Sequence, residues 1–291
     1  MQARSAEMKK TATSLRRLLF AALSLGLMLS SGAAWAAVEL EHKDGFGYPK
    51  DISIDGWRID WLIDITMIFV TILFVIMCLW LAYCWFFHDE NHAADYDHGQ
   101  SKHHVLTAVI LSSVIFWVVD GNLLVNSVVD VRDAFWNFDI PNDDPDTVRI
   151  QVNGRQWAWQ GRYAGTDNAF GTADDIVILN DFKVPVDTPV YMQLAATDVI
   201  HAFYLPNLRN KIDAVPGMIN RMWFEATESR EVDIGCAQHC GTNHYKMKGK
   251  LSILPKDEFK AWYAQASVNA QRAYDPNDVD ANWAWPWAKG E

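Results

Sequence analysis

From Ile65 to Phe87 the chain runs for 23 residues without a single charged side chain. A helix crossing the hydrocarbon of a bilayer needs about 20 such residues, and in lipid only a helix or a closed barrel satisfies its own backbone. This segment is therefore predicted to span a membrane as a helix. A second run, Val105 to Val129, is interrupted only by Asp120. A carboxylate at membrane depth is costly, so Asp120 is expected to face a protein partner or to lie near the interface. Two spans, at about 62–87 and 105–129, return the chain to the side from which it started.

The first residues indicate which side that is. Lys9, Lys10, Arg16 and Arg17 precede an apolar stretch from Leu18 to Leu29 and then Ala34-Trp35-Ala36, the order of a secretory signal. Removal of residues 1–36 is expected, leaving 37–130 as an N-terminal segment and a two-helix transmembrane hairpin. The loop from His88 to His104 is then cytoplasmic and everything after about Asp130 periplasmic. Lys102 is the only Lys or Arg in that loop, so the signal, rather than the positive-inside rule, sets the orientation. His88, His92, His98, His103 and His104 of this loop read as a solvated segment, with metal binding as the alternative. A net charge of −11 argues against a nucleic-acid partner and suits basic protein partners.

Between Pro141 and Leu254 the apolar residues alternate with polar ones over short stretches, as in Val148, Ile150 and Val152 around Arg149 and Gln151. Period two, punctuated by Pro185, Pro189, Pro206 and Pro216-Gly217, predicts antiparallel strands of a sandwich or small barrel over 131–255. Gly165 to Asp175 reads as a polar hairpin insertion, with calcium binding as the alternative. Over 256–291 a helix is expected from Asp257 to about Ala273, followed by a tail carrying Trp283, Trp285 and Trp287.

The chemistry concentrates in Cys236-Ala237-Gln238-His239-Cys240-Gly241-Thr242-Asn243-His244-Tyr245-Lys246-Met247. Two thiolates, an imidazole and a thioether are soft or borderline ligands that select copper or zinc over magnesium or calcium. Cys240, His244 and Met247, with one further His, would complete a mononuclear blue-copper site. The extra Cys236 is what such a site does not need, whereas two sulfurs bridging two copper ions use both cysteines. The further His is available in Asp198-Val199-Ile200-His201. A structural disulfide between Cys236 and Cys240 would leave His201, His244 and Met247 without a purpose. No C-x-x-C-H occurs, so no ordinary c-type haem is attached to this chain.

These strings are similar to the pattern of cytochrome c oxidase subunit II. The family's C-x-x-x-C-G-x-x-H-x-x-M is matched at Cys236 to Met247, its D-V-x-H at Asp198 to His201, and its K-x-D-A-x-P-G at Lys211 to Gly217. Gly154-Arg155-Gln156-Trp157-Ala158-Trp159 resembles its aromatic segment. The resemblance implies a two-helix transmembrane hairpin plus an all-β cupredoxin-like Greek-key sandwich or barrel. It implies a dinuclear copper (CuA) centre held by the side chains of His201, Cys236, Cys240, His244 and Met247 and by the backbone carbonyl of Gln238. It gives Trp157 the role of passing electrons from a donor to copper, and puts Asp213 near the subunit interface. Relatives often hold magnesium through a Glu at the position of Gln238; Gln lacks the carboxylate, so magnesium is not expected here.

The implied activity is electron acceptance for an aerobic respiratory oxidase in a bacterial inner membrane. The implied partners are a periplasmic cytochrome c-like donor, a haem-bearing subunit I that reduces dioxygen with proton pumping, and other oxidase subunits. The second helix begins Lys102-His103-His104-Val105 and lacks the family's Glu and W-T-x-x-P there, so no proton-uptake role is expected of it. Two other readings are compatible with these residues: the copper subunit of a related nitric oxide reductase, and a copper-carrying assembly protein.

Overall fold

The computed structural model describes residues 49–88, 92–93, 96–275 and 277. The expected signal peptide, its cleavage after Ala36, and Trp283, Trp285 and Trp287 lie outside the described residues. The chain divides into two compact units: Met67–Leu111 belongs to one, and Pro49–Thr66 together with the chain from Ser112 onward to the other.

The first unit holds most of helix α1, Gly56–Phe87, and the start of α2, Lys102–Ile115. Both α1 and the helical run Lys102–Asp143 are long and apolar enough to cross a membrane, and their most apolar stretches are not buried inside the protein. Phe74, Trp80, Trp85 and Trp117 all stand exposed. Water would penalise so continuous an apolar surface, whereas hydrocarbon does not. The 32 residues of α1 extend about 48 Å at about 1.5 Å per residue, more than a bilayer core of about 30 Å.

In the second unit the helical run continues past α2 through a π-turn at Phe116–Asp120, helix α3 at Gly121–Asp130, a second π-turn at Val131–Phe135 and the short α4, Asp139–Asp143. Asp120 closes the first π-turn and is exposed. Ten strands follow: β1 Val148–Arg155, β2 Ala158–Tyr163, β3 Ile176–Leu179, β4 Asp181–Pro185, β5 Pro189–Ala196, β6 His201–Leu205, β7 Asn210–Ala214, β8 Asn220–Glu225, β9 Glu231–Cys236 and β10 Lys248–Leu254. They form two five-stranded sheets, ordered β3-β2-β1-β5-β8 and β4-β10-β9-β6-β7. This is a cupredoxin-like Greek-key sandwich.

The strands are not all antiparallel, as the alternation suggested. β1 pairs parallel to β5, and β10 parallel to β4. Alternation reports which face a side chain takes but carries no strand direction, so these two distant pairings are invisible to it. Ile150, Val152, Met192 and Leu194 from one sheet meet Phe182, Val184, Phe203, Leu205, Ile234, Leu251 and Ile253 from the other in one dry core. The polar residues between them are not simply solvated either. Gln151 is buried, accepting from Arg162 Nη2 and donating to Gln193 (3.1 Å), so the outer face of β1 carries its own hydrogen-bonded layer.

The helix ends within this unit are fastened to the sandwich. Arg209 donates to both oxygens of Asp60 on α1 (2.6 and 2.9 Å), Arg58 donates to Asp130 at the end of α3 (2.9 Å), and Trp223 Nε1 donates to the carbonyl of Ala134 (2.9 Å). Ahead of α1, Ile52 lies in the core and its backbone bonds to Asn207 and Thr227. On the opposite flank, helix α5, Lys256–Ala273, begins with Asp257 and Glu258 in its first turn, where carboxylates favour the helix dipole. Its Phe259, Trp262 and Tyr263 pack together, and Trp262 and Tyr263 sit edge-on to Tyr163.

Candidate metal centre

The sheet topology brings the two motif strings together. β6 pairs antiparallel with β9 at Phe203 opposite Cys236, and Ala237 N donates to the carbonyl of Ala202 (3.0 Å) to extend that pairing. His201 opens β6, Cys236 closes β9, and the loop between Cys236 and β10 supplies the rest. Gly241 in this loop has φ +115°, a conformation that L side chains rarely adopt, and a 3₁₀ turn over His244–Lys246 swings Met247 inward.

The donor atoms form a continuous cluster. Cys236 Sγ lies 3.9 Å from His201 Nδ1, 3.8 Å from Cys240 Sγ and 3.2 Å from the carbonyl oxygen of Gln238. Cys240 Sγ lies 3.5 Å from His244 Nδ1 and 3.7 Å from Met247 Sδ. Every side chain expected from the sequence as a copper ligand is present in this cluster, with the Gln238 carbonyl on its rim. The ligand atoms of His201, Cys236 and Cys240 all lie within 4.8 Å of one another, close enough to share a metal ion. Donors bound to one tetrahedral ion at about 2.0–2.3 Å stand about 3.3–3.8 Å apart. The neighbouring donors, 3.2 to 3.9 Å apart, lie close to that spacing, and both cysteines are free thiols.

His201, Cys240 and Met247 are buried, while Cys236 and His244 are half-buried at the mouth. Burial opposes ionisation of both thiols. For Cys236 the hydrogen bonds with the His201 ring, the Ala202 and Gln238 backbone and His244 together outweigh that effect and lower its pKa, whereas burial and the neighbouring Cys236 sulfur push Cys240 up. One cysteine is thus ready as a thiolate, and the second needs a cation to stabilise its charge. Soft sulfur with imidazole is a donor set that fits copper.

Sequence reading assigned no role to three residues that shape the cluster. Asp198 Oδ1 lies 2.8 Å from His201 Nε2, which holds the ring with Nδ1 toward the sulfurs. A Cβ on Gly154 would come within 3.0 Å of His201 Cδ2 and of Trp159 Cζ3, so any side chain there would press on that ring. Gln156 donates its side-chain amide to the carbonyl of Cys240 (2.8 Å). Asp198, Gly154 and Gln156 all stand inside strings already singled out, and their position there was the one available signal. Trp157 occupies the two-residue turn between β1 and β2, half-buried over Gly241. Asp213 is exposed on β7 opposite Ala202, at a concave face that also holds Trp136, Phe138 and Arg221.

Residues 148–252 match the family model described as cytochrome c oxidase subunit II, periplasmic domain. The alternative cytochrome c oxidase subunit 2 of Bradyrhizobium diazoefficiens is 29% identical over 75% of this chain and 84% of its own length. The cytochrome c oxidase subunit 2 of Alkalihalophilus pseudofirmus is 35% identical over 58% of this chain and 47% of its own, so the chain spans less than half of that relative. Among solved structures, the periplasmic domain of subunit II of cytochrome oxidase from Bradyrhizobium japonicum is 28% identical, with a TM-score of 0.38, over 42% of this chain and 94% of that one. Over residues 148–252 the chain is therefore similar to the periplasmic domain of the cytochrome c oxidase subunit II family.

Proposed function

We propose that this chain is the electron-accepting subunit of a haem–copper respiratory oxidase and that His201, Cys236, Cys240, His244, Met247 and the Gln238 carbonyl hold a dinuclear copper centre. The observation that carries the reading is the convergence of six donors, from two segments separated by 34 residues, at the spacing of atoms sharing metal ions. Held there by these residues, a copper pair would supply one-electron chemistry with little rearrangement. The chain's own residues keep the rearrangement small: Asp198 orients His201, the sandwich excludes water from His201 and Cys240, and the Cys236–Met247 loop is anchored at both ends by strands.

Trp157 offers an aromatic surface over the loop, where a periplasmic cytochrome c-like donor docks and passes its electron. The two helices anchor the chain in the bacterial inner membrane with the sandwich in the periplasm, beside a haem-bearing subunit I that reduces dioxygen and moves protons. Copper-loaded full-length protein should show a purple mixed-valence spectrum, with an EPR signal shared between two copper nuclei, and Cys236→Ser should abolish it. A single-copper blue signal in the unaltered protein would reject the dinuclear assignment.

A further inference from the structure

The geometry points to Gln156 as a positioning residue that ties the Trp157 turn to both ligand-bearing segments at once. Its backbone N–H donates to Asp198 Oδ2 (2.6 Å), and Asp198 holds His201 through its other oxygen. Its side-chain amide reaches in the other direction, to the carbonyl of Cys240 (2.8 Å). One residue therefore joins the β1–β2 turn to the start of β6 and to the cysteine loop, segments 42 and 84 residues away in sequence.

Trp157 depends on this clamp because its indole N–H is covered and makes no hydrogen bond among the described residues. Its ring is located by packing, against the edge of the core and over Gly241. A Cβ on Gly241 would come within 2.8 Å of Gln156 Nε2 and 3.4 Å of Trp157 Cζ2, so the turn and the loop meet with no room to spare. With the amide removed, no other hydrogen bond among the described residues holds the turn down onto the Cys240 segment. A neutral side-chain hydrogen bond shifts such a local equilibrium by about fivefold. Gln156 acts through Trp157 and Cys240, and the consequence for electron transfer rests on the reading of Trp157 given above; the positioning itself does not.

The test uses the full-length protein in detergent, carrying 5-fluorotryptophan, with the Trp157 resonance identified by its loss in Trp157→Phe. Gln156→Glu keeps the size and the backbone bond but has no donor for Cys240, and Gln156→Ala removes the side chain. In copper-free protein, both variants should move the Trp157 ¹⁹F resonance toward its solvent-exposed position and narrow it. After copper loading, electron acceptance from reduced cytochrome c in stopped flow should slow by about fivefold or more at unchanged copper content. A Trp157 resonance unmoved in both variants overturns the inference. If Gln156→Glu fails to fold, the Gln156→Ala spectrum decides. A moved resonance with an unchanged rate upholds the positioning and rejects Trp157 as the point of electron acceptance.

Discussion

Asp174 sits in the insertion between β2 and β3, and replacing it with Asn should loosen α5. Its Oδ2 accepts from Thr166 N (2.6 Å), Thr166 Oγ1 (2.8 Å) and Ser267 Oγ on α5 (3.1 Å), while Oδ1 accepts from Thr172 Oγ1 (2.8 Å). Burial alone would raise its pKa, but these donors outweigh burial and lower it from 3.8 to about 2. A carboxylate with a depressed folded pKa stabilises the fold above its unfolded value, and that stability is lost as pH falls toward the folded one. The shift corresponds to about 2 kcal/mol at neutral pH, of which about 1 kcal/mol remains at pH 3. In Asp174→Asn, an amide must point N–H groups at hydroxyl and amide donors, so this contribution disappears. Hydrogen-exchange mass spectrometry at pH 7 should show the amides of the insertion and of α5 exchanging faster than in the unaltered protein. Urea unfolding should show the difference between the two proteins shrinking by about half at pH 3. Equal α5 exchange rates at pH 7, or a difference that persists undiminished at pH 3, would refute a charge-dependent latch.

Two further substitutions probe the core beneath the metal site. Phe203 is fully buried one strand position from Ala202, edge-on to Trp159 and Phe182, and Phe203→Ala should cost about 3–5 kcal/mol. Thermal unfolding of the copper-free protein, followed by near-ultraviolet circular dichroism, should shift down by about 10 °C or more. Gly161→Ala places a Cβ 2.5 Å from Phe182 Cε1 on the facing sheet and 2.8 Å from Ile178 Cγ1 on the neighbouring strand, which overpacks the core at a cost of about 1–3 kcal/mol. The same thermal measurement checks it; an unshifted midpoint would mean that Phe182 and Ile178 move aside freely.

Much of this protein is determined by local sequence. The uncharged stretch from Ile65 to Phe87 specifies a membrane-crossing helix because lipid imposes length and apolarity on a contiguous segment. The period-two stretches specify strands because side chains alternate faces, and the loop from Cys236 to Met247 states its donor chemistry because most of its ligands lie within twelve residues. Local sequence could not determine what depends on distant backbone. The parallel pairings of β1 with β5 and of β4 with β10 follow from crossovers between sheets, which no alternation pattern encodes. The burial of Gln151 beneath Arg162 and Gln193 depends on which strands become neighbours. Asp198 and Gln156 stood within strings that sequence had already singled out, yet as an Asp before a strand and a Gln in a turn they look like ordinary polar residues. Their role appears only when β6, β9 and the β1–β2 turn meet, because a hydrogen bond forms at about 3 Å between particular atoms, and only the tertiary structure sets which atoms lie that close.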